Sequence, residues 1–252
     1  MVQNHTRPWS EKHLGFELIQ DKEMPEAKPM TQDSNSDFHK KELIYIPIIH
    51  TPADMGGLSG PLQEITLQKL GKEGWEKKQD LVNQLWSEIE RFVDTLPLRY
   101  EKVRLYQDGL PVCGRESTIV EELAKMGSRN HQIIFHLMEK GAIIMGTESS
   151  ELLLEEYGLM KQILAMADSG KSEEVEACHE ALSHSLLERR NEYIARRIND
   201  TLQEGETGIL FLGMLHSIEH LLNKDIRVIY PIHQPFSGKE KHDAGQSSNP
   251  HR

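Results

Sequence analysis

Cysteine is almost absent from this chain of 252 residues, which contains only Cys113 and Cys178. The two are not in C-x-x-C spacing, so the sequence offers neither a disulfide framework nor a paired-cysteine metal site. Long apolar runs are missing too, since the longest, residues 208–215, is far shorter than the roughly 20 residues that span a bilayer. No charged segment followed by an apolar one opens the chain, so we expect no signal peptide and a cytoplasmic protein.

Basic stripes and the common nucleotide-binding motifs are also missing. The formal net charge is −11, which argues against nucleic acid and anionic membranes as main partners. The chain contains no G-x-x-x-x-G-K-[ST], no G-x-G-x-x-G and no G-x-S-x-G motif. We therefore expect the partner to be a small molecule or a peptide. A small anion bound by a few arginines remains compatible with the net charge.

The two ends of the chain have little to bury. Residues 1–41 are polar and contain three prolines, and residues 236–252 consist largely of Gly, Ser, Lys and His. Such segments cannot offset the entropy that ordering costs, so we expect both to be mobile tails. Residues 42–235 are then long enough for a single α/β domain.

Short apolar runs at residues 43–49, 103–106, 142–145, 208–215 and 226–229 have the length and the β-branched character of strands. The first run is apolar on both faces, as in a strand that helices cover. Helical patterns separate most of the runs, which is typical of βαβ units. The sequence therefore predicts an α/β fold with a mostly parallel sheet of about five strands and helices on both faces.

Two long helices are expected, at residues 75–96 and from Ser172 to the C′ residue Gly205. Four shorter ones are expected near 118–126, 130–140, 149–167 and 216–222. Residues 51–74 contain five glycines and show little periodicity, so we expect a lid, a binding loop or disorder there. Pro47 removes a backbone donor, which indicates a strand near an edge or one paired on only one side at that point.

Four residues able to bind a metal or move a proton follow the predicted strands. They are His50, Asp108, Glu148 and His216. Ligands of open α/β sheets bind outside the carboxyl ends of the strands, so we expect these residues to share one cleft. Each also has an ordinary explanation: Asp108 precedes a glycine and could form an Asx turn, and Glu148 could favour a helix N-terminus. A histidine at a strand end is also often structural.

His216 and His220 would lie one turn apart if a helix begins at His216. That spacing lets two imidazoles bind one metal, and the string His216-Ser217-Ile218-Glu219-His220 fits H-x-x-E-H. The alternative is a helix N-terminus with His216 bonded to the backbone and His220 on the surface.

Arg190 interrupts an apolar helical stripe between Leu186 and Ile194. A guanidinium that faces the interior needs a carboxylate, a phosphate or backbone carbonyls. We expect Arg190 to face inward, where it would pair with Glu148 or Asp108 or bind an anionic ligand. A drift of the stripe could instead let it reach solvent.

Residues 46–50 and the segment Gly213-Met214-Leu215-His216, preceded by the helix of Arg190, resemble the TraB/PrgY, Tiki, ChaN and erythromycin-esterase group. That group has paired G-x-x-H-like motifs at strand ends, although Pro47 replaces the usual glycine of the first motif. The resemblance implies that His50, Glu148, Arg190 and His216 line the cleft. Members include metal-dependent hydrolases and haem-binding or signalling proteins, so the resemblance implies a fold more than a reaction.

We therefore expect a hydrolase-like protein in which His50, His216 and His220 are candidate ligands of a divalent metal. Glu148 or Asp108 would activate water, and Arg190 would orient an anionic group. An alternative is a ligand-binding or signalling protein that uses the same cleft without catalysis. A third is an interaction scaffold built on the long helices.

Overall fold

The computed structural model describes residues 41–51, 54, 56–166 and 173–231. Its strands are β1 (Lys41–Ile48), β2 (Val103–Gln107), β3 (Ile143–Met145), β4 (Thr207–Gly213) and β5 (Ile226–Ile229). Its α-helices are α1 (Ser59–Thr95), α2 (Glu116–Lys125), α3 (Arg129–Glu139), α4 (Ser150–Met166) and α5 (Glu173–Thr201). Apart from Lys41, the two expected tails lie outside the described residues, as does Ser172.

The five strands form one parallel sheet in the order β3-β2-β4-β1-β5. The predicted α/β fold with a parallel sheet is therefore confirmed. The strands β2, β4 and β1 are neighbours, so the chain segments that follow them emerge side by side at the carboxyl edge. That edge is where the ligands of such sheets bind. No helix among the described residues combines the length and the apolarity needed to cross a membrane.

Side chains that alternate along the strands divide between two apolar clusters. One contains residues of β1, β2 and β4 together with residues of α1, α2 and α3, among them Ile44, Ile46, Leu105, Phe211, Trp86, Ile89, Val120 and Ile134. The other contains the intervening strand residues together with residues of α5, among them Leu43, Tyr45, Tyr106, Leu210, Ile194, Ile198 and Leu202. The strands are thus apolar at consecutive positions because both sets of side chains are buried.

Pro47 lies in a central strand that is paired on one side only at that point. It is opposite Leu212 of β4, whereas β5 pairs with β1 only from Lys41 to Ile44. The missing N–H of the proline therefore costs no bond to β5. One of the two arrangements that the sequence left open, pairing through a single side, is the one observed.

The expectation of a loop over residues 51–74 is wrong for its second half, because α1 already begins at Ser59. Pro61 lies in the first turn of the helix, where its missing N–H is tolerated. Gly71 interrupts the helix with φ 67°, a left-handed conformation that favours glycine. The signal that was overlooked is the four-residue spacing of Leu58, Leu62 and Thr66, all of which are buried.

Truncating a core residue of α1 tests the packing of that helix on the sheet. Ile89 is fully buried, so we expect Ile89→Ala to lower the free energy of unfolding by about 2–5 kcal/mol through lost contacts and a residual cavity. Leu81, on the same helix, is 37% exposed, and Leu81→Ala should change it by no more than about 0.5 kcal/mol. Urea unfolding of both variants measures the difference, and equal effects would contradict the packing described.

Candidate functional site

The residues that follow β1, β2, β3 and β4 converge at the carboxyl edge of the sheet. Nε2 of His50 lies 3.0 Å from Oδ2 of Asp108, and Nε2 of His216 lies 3.6 Å from the same oxygen. Asp108, Glu148 and His216 are 6%, 0% and 7% exposed, whereas the side chain of His50 is 35% exposed. The structure thus brings together the four side chains that the strand ends predicted, and His50 is the one that solvent reaches.

Glu148 is held next to Asp108 because the chain segments after β2 and β3 continue to pair. Gly109, with φ 74°, makes the turn after Asp108. Beyond the turn, the N–H of Val112 donates to the carbonyl of Glu148 at 2.9 Å, and Pro111 forms a parallel bridge with Glu148. The N–H of Gly109 also donates to Oε1 of Glu148 at 2.9 Å. The turn at Asp108-Gly109 therefore helps to place the carboxylate of Glu148 beside that of Asp108.

Arg190 faces inward and joins the two buried carboxylates. Its Nε donates to Oε2 of Glu148 at 2.8 Å, and its Nη2 donates to Oε1 of Glu148 at 2.6 Å and to Oδ1 of Asp108 at 2.8 Å. Its Nη1 donates to Glu156 of α4. Four of the five N–H groups of the guanidinium are thus bonded to protein carboxylates. This leaves little of Arg190 for an anionic ligand, and the structure favours the pairing alternative.

Gly213, the last residue of β4, leaves room for the side chain of Asp108. The N–H of Gly213 donates to Oδ2 of Asp108 at 2.8 Å. A Cβ atom on Gly213 would lie 2.8 Å from that oxygen and 3.6 Å from the rings of His50 and His216. Any larger residue at position 213 would therefore crowd the side chains of Asp108, His50 and His216.

His216 is buried in its neutral form. Its Nδ1 lies 2.6 Å from the side-chain amide of Asn191, and its Nε2 lies 3.6 Å from Oδ2 of Asp108. Burial, together with the positive charges of Arg190 and His50, lowers the pKa of His216 to about 4, although the charge of Asp108 opposes this.

The pKa of His50 is shifted in the opposite direction. Burial lowers its pKa, but the charge of Asp108 and the hydrogen bond to it, with the charge of Asp54, outweigh that effect and raise the pKa to about 9. One carboxylate thus has a protonated imidazole on one side and a neutral imidazole on the other. Pairs of groups whose pKa values are pushed apart are typical of acid and base assignments in active sites.

The two carboxyl groups also differ. Burial raises the pKa of Asp108, but the positive charges of His50 and Arg190, together with the hydrogen bond from His50, hold it well below its ordinary value. Burial raises the pKa of Glu148, and the charge of Asp108 adds to this, while Arg190 opposes it. Asp108 is therefore the ionised acceptor of the site at neutral pH.

Asp108, Glu148 and His216 each offer one ligand atom, and these atoms all lie within 4.8 Å of one another. This group could hold a metal ion. Both oxygens of Glu148 accept hydrogen bonds from Arg190. Both oxygens of Asp108 also accept, Oδ1 from Arg190 and Oδ2 from His50 and the N–H of Gly213. A cation bound here would therefore share its carboxylate ligands with these donors.

The helix expected at residues 216–222 does not form. After Gly213 the chain turns, and residues 216–218 have no regular structure before a short 3-10 helix at Glu219–Leu221. His220 is exposed on that turn and is not part of the group of candidate ligands. The prediction that His216 and His220 lie one turn apart on a helix is thus wrong, because His216 lies in the irregular segment before the 3-10 helix that contains His220.

Two residues of the site were not predicted. Asn191 is hydrogen-bonded to His216, and Glu156 bonds the outer end of Arg190. Asn191 could have been found from its spacing of three and four residues to Ile194 and Ala195, which are buried with it. Glu156 gave no such signal, because its side chain is 42% exposed and lies in an acidic helix.

No family model, curated protein or solved structure matches this chain. The resemblance to the TraB/PrgY, Tiki, ChaN and erythromycin-esterase group therefore stays an expectation. The site has to be interpreted from its own geometry.

Arg190 and its sequence neighbour Arg189 provide a matched test of the buried network. We expect Arg190→Gln to lower the free energy of unfolding by about 3–5 kcal/mol, because it leaves two buried carboxyl groups without their cation. Arg189 pairs with Glu155 on the surface, so Arg189→Gln should leave the stability nearly unchanged. Urea unfolding at pH 7 compares the two, and similar small losses would contradict the network.

Gly213 provides a second test. We expect Gly213→Ala to lower the free energy of unfolding by about 1–3 kcal/mol, since the added methyl displaces Asp108. Gly158 lies in α4 with open space around its Cα, so Gly158→Ala should raise the stability by about 1 kcal/mol. Thermal unfolding of the two alanine variants should therefore shift in opposite directions, and a neutral Gly213→Ala would refute the close approach.

Proposed function

We propose that this protein is a hydrolase in which Asp108 and His216 bind a divalent cation at the carboxyl edge of the sheet. The observation that carries the proposal is the close approach of two common ligand atoms there. Oδ2 of Asp108 and Nε2 of His216 lie 3.6 Å apart. An oxygen of Glu148 completes a group of three ligand atoms that lie within 4.8 Å of one another.

The spacing of the two atoms fits a metal. Atoms bound at about 2.0–2.2 Å to one tetrahedral zinc ion are about 3.3–3.6 Å apart. Asn191 fits as well, because a histidine that ligates a metal through one ring nitrogen usually donates its other N–H to a protein oxygen. With a metal on Nε2 of His216, Nδ1 would donate to the side-chain oxygen of Asn191, which lies 2.6 Å away.

Three carboxyl groups, those of Asp108, Glu148 and Glu156, contact the guanidinium of Arg190. Burial raises the pKa of Glu148, so a cation bound beside it would favour its ionised form. Glu148 supports the site indirectly, since it holds Arg190, and Arg190 in turn holds the second oxygen of Asp108.

His50 is the residue of this group that is placed to act on a substrate. It is protonated and exposed, and because its Nε2–H donates to Asp108, the proton that it can give to a leaving group is the one on Nδ1. A divalent cation supplies the complementary chemistry by lowering the pKa of a water molecule. The substrate is a small molecule or a peptide whose scissile bond reaches the edge of the sheet beside His50.

A second function, ligand or cation binding without catalysis, has its own supporting observation. Asp108, Glu148 and His216 are almost completely buried. Structural metal sites are closed, whereas catalytic sites keep an open position. The exposed position of His50 favours the hydrolase, and the burial of the other three residues favours the binding protein.

Metal titration tests the proposal. Calorimetric titration of metal-stripped protein with Zn²⁺ or Mn²⁺ should give one site per chain. His216→Ala and Asp108→Asn should each weaken binding by more than about 100-fold, because each removes a ligand. His220→Ala is the matched histidine control and should leave the affinity unchanged. Equal affinity in all four proteins would overturn the metal site.

Activity separates the two functions. The metal-loaded protein, tested on ester, phosphodiester and peptide substrates, should hydrolyse one class, and His50→Gln should abolish turnover while keeping the metal affinity. A protein that binds metal with wild-type dependence on His216 yet leaves every substrate intact would favour the non-catalytic alternative.

A further inference from the structure

A second polar cluster lies in the interior near His50, formed by Asp54, Ser128 and His131. The side chains of Asp54 and His131 are 4% and 7% exposed, and Ser128 is completely buried. Oγ of Ser128 is hydrogen-bonded to Oδ1 of Asp54 and lies 2.7 Å from Nδ1 of His131. We call these three residues the Asp54 cluster.

The direction of each hydrogen bond in the Asp54 cluster follows from its chemistry. Burial raises the pKa of Asp54, but the nearby imidazole of His131 and the hydrogen bonds from Ser128 and Thr51 outweigh it and lower the pKa to about 2, so the carboxylate only accepts. The single proton of the Ser128 hydroxyl therefore goes to Asp54, and Nδ1 of His131 donates to the Ser128 oxygen. A serine that is fully buried and donates directly to an aspartate is not a nucleophile activated by histidine.

The Asp54 cluster connects the chain after β1 to the start of α3. Oδ2 of Asp54 accepts the backbone N–H of Thr51 at 2.7 Å and its hydroxyl at 2.8 Å. Thr51 directly follows His50. At the other end, Oγ of Ser128 caps α3 by accepting the N–H of His131 at 3.3 Å.

The end of the cluster at α3 is fixed by packing. Ile133, Ile134 and Leu137, which follow His131 on α3, belong to the same apolar cluster as residues of the sheet. Ser128 and His131 are thus anchored to the core, and through Asp54 they restrain Thr51. His50 is therefore restrained from both sides, by β1 before it and by the Asp54 cluster after it.

We propose that Asp54, Ser128 and His131 are positioning residues, which hold His50 in hydrogen-bonding contact with Asp108. The part that His50 plays in catalysis rests on the proposed function. The positioning itself can be tested without metal or substrate, so its failure and that of the proposed function are distinguishable.

The test measures the reactivity of His50 in metal-free, full-length protein. Diethylpyrocarbonate modifies imidazole nitrogens, and peptide mapping by mass spectrometry gives a rate for each histidine. In Ser128→Ala we expect His50 to react about tenfold faster, because the hydrogen bond that protects its Nε2 is weakened. Asp54→Asn should react faster still, since it also removes a negative charge that raises the pKa of His50. His136 and His220, both exposed and away from the Asp54 cluster, are internal references and should keep their rates.

Two further variants separate positioning from a general loss of stability. Thr51→Val removes only the hydroxyl bond to Asp54, so it should fold and give a smaller increase in the His50 rate. Arg104→Gln breaks the partly buried pair with Glu206 before β4, at the opposite edge of the sheet. It should destabilise the protein without changing the rate at His50.

An unchanged rate at His50 in folded Asp54→Asn, Ser128→Ala and Thr51→Val protein would overturn the proposal. So would an equal increase in Arg104→Gln, since it would show that the rate follows stability alone. If the two buried variants fail to fold, Thr51→Val decides by itself.

Discussion

The carboxylate of Asp108 is the interaction on which the carboxyl edge of this protein depends. One of its oxygens accepts from the backbone of Gly213 and from His50, and the other accepts from Arg190. A single buried charge thus connects the ends of β1, β2 and β4 with α5. A charge this deeply buried is stable only with such partners, so the surrounding chain has to be arranged to supply them.

The other features of the site follow from this requirement. Arg190 neutralises Asp108, and Glu148 neutralises Arg190 through two parallel hydrogen bonds. Burial, together with the positive charges of Arg190 and His50, keeps His216 neutral, while the exposed His50 gains a proton from its proximity to Asp108. The two histidines therefore differ in protonation because they differ in exposure to solvent while both lie beside Asp108.

Much of this arrangement could be predicted from the sequence because it depends on local patterns. Apolar runs of strand length and the helical segments between them predicted the parallel sheet. Parallel strands in turn predicted that His50, Asp108, Glu148 and His216 would meet. The position of Arg190 in an otherwise apolar stripe predicted its burial. The first half of α1 was not predicted. Its several glycines are typical of a loop, and its few buried residues lie four positions apart.

What the sequence determined by itself is the fold class and the edge of the sheet where polar residues gather, because strand and helix periods are properties of a few consecutive residues. Only the tertiary structure decided which partners each residue has. Arg190 is bonded to three carboxylates, His216 is oriented by Asn191, and His220 is left on the surface. These outcomes depend on distances between residues far apart in the chain, and such distances are fixed only when the two apolar clusters pack.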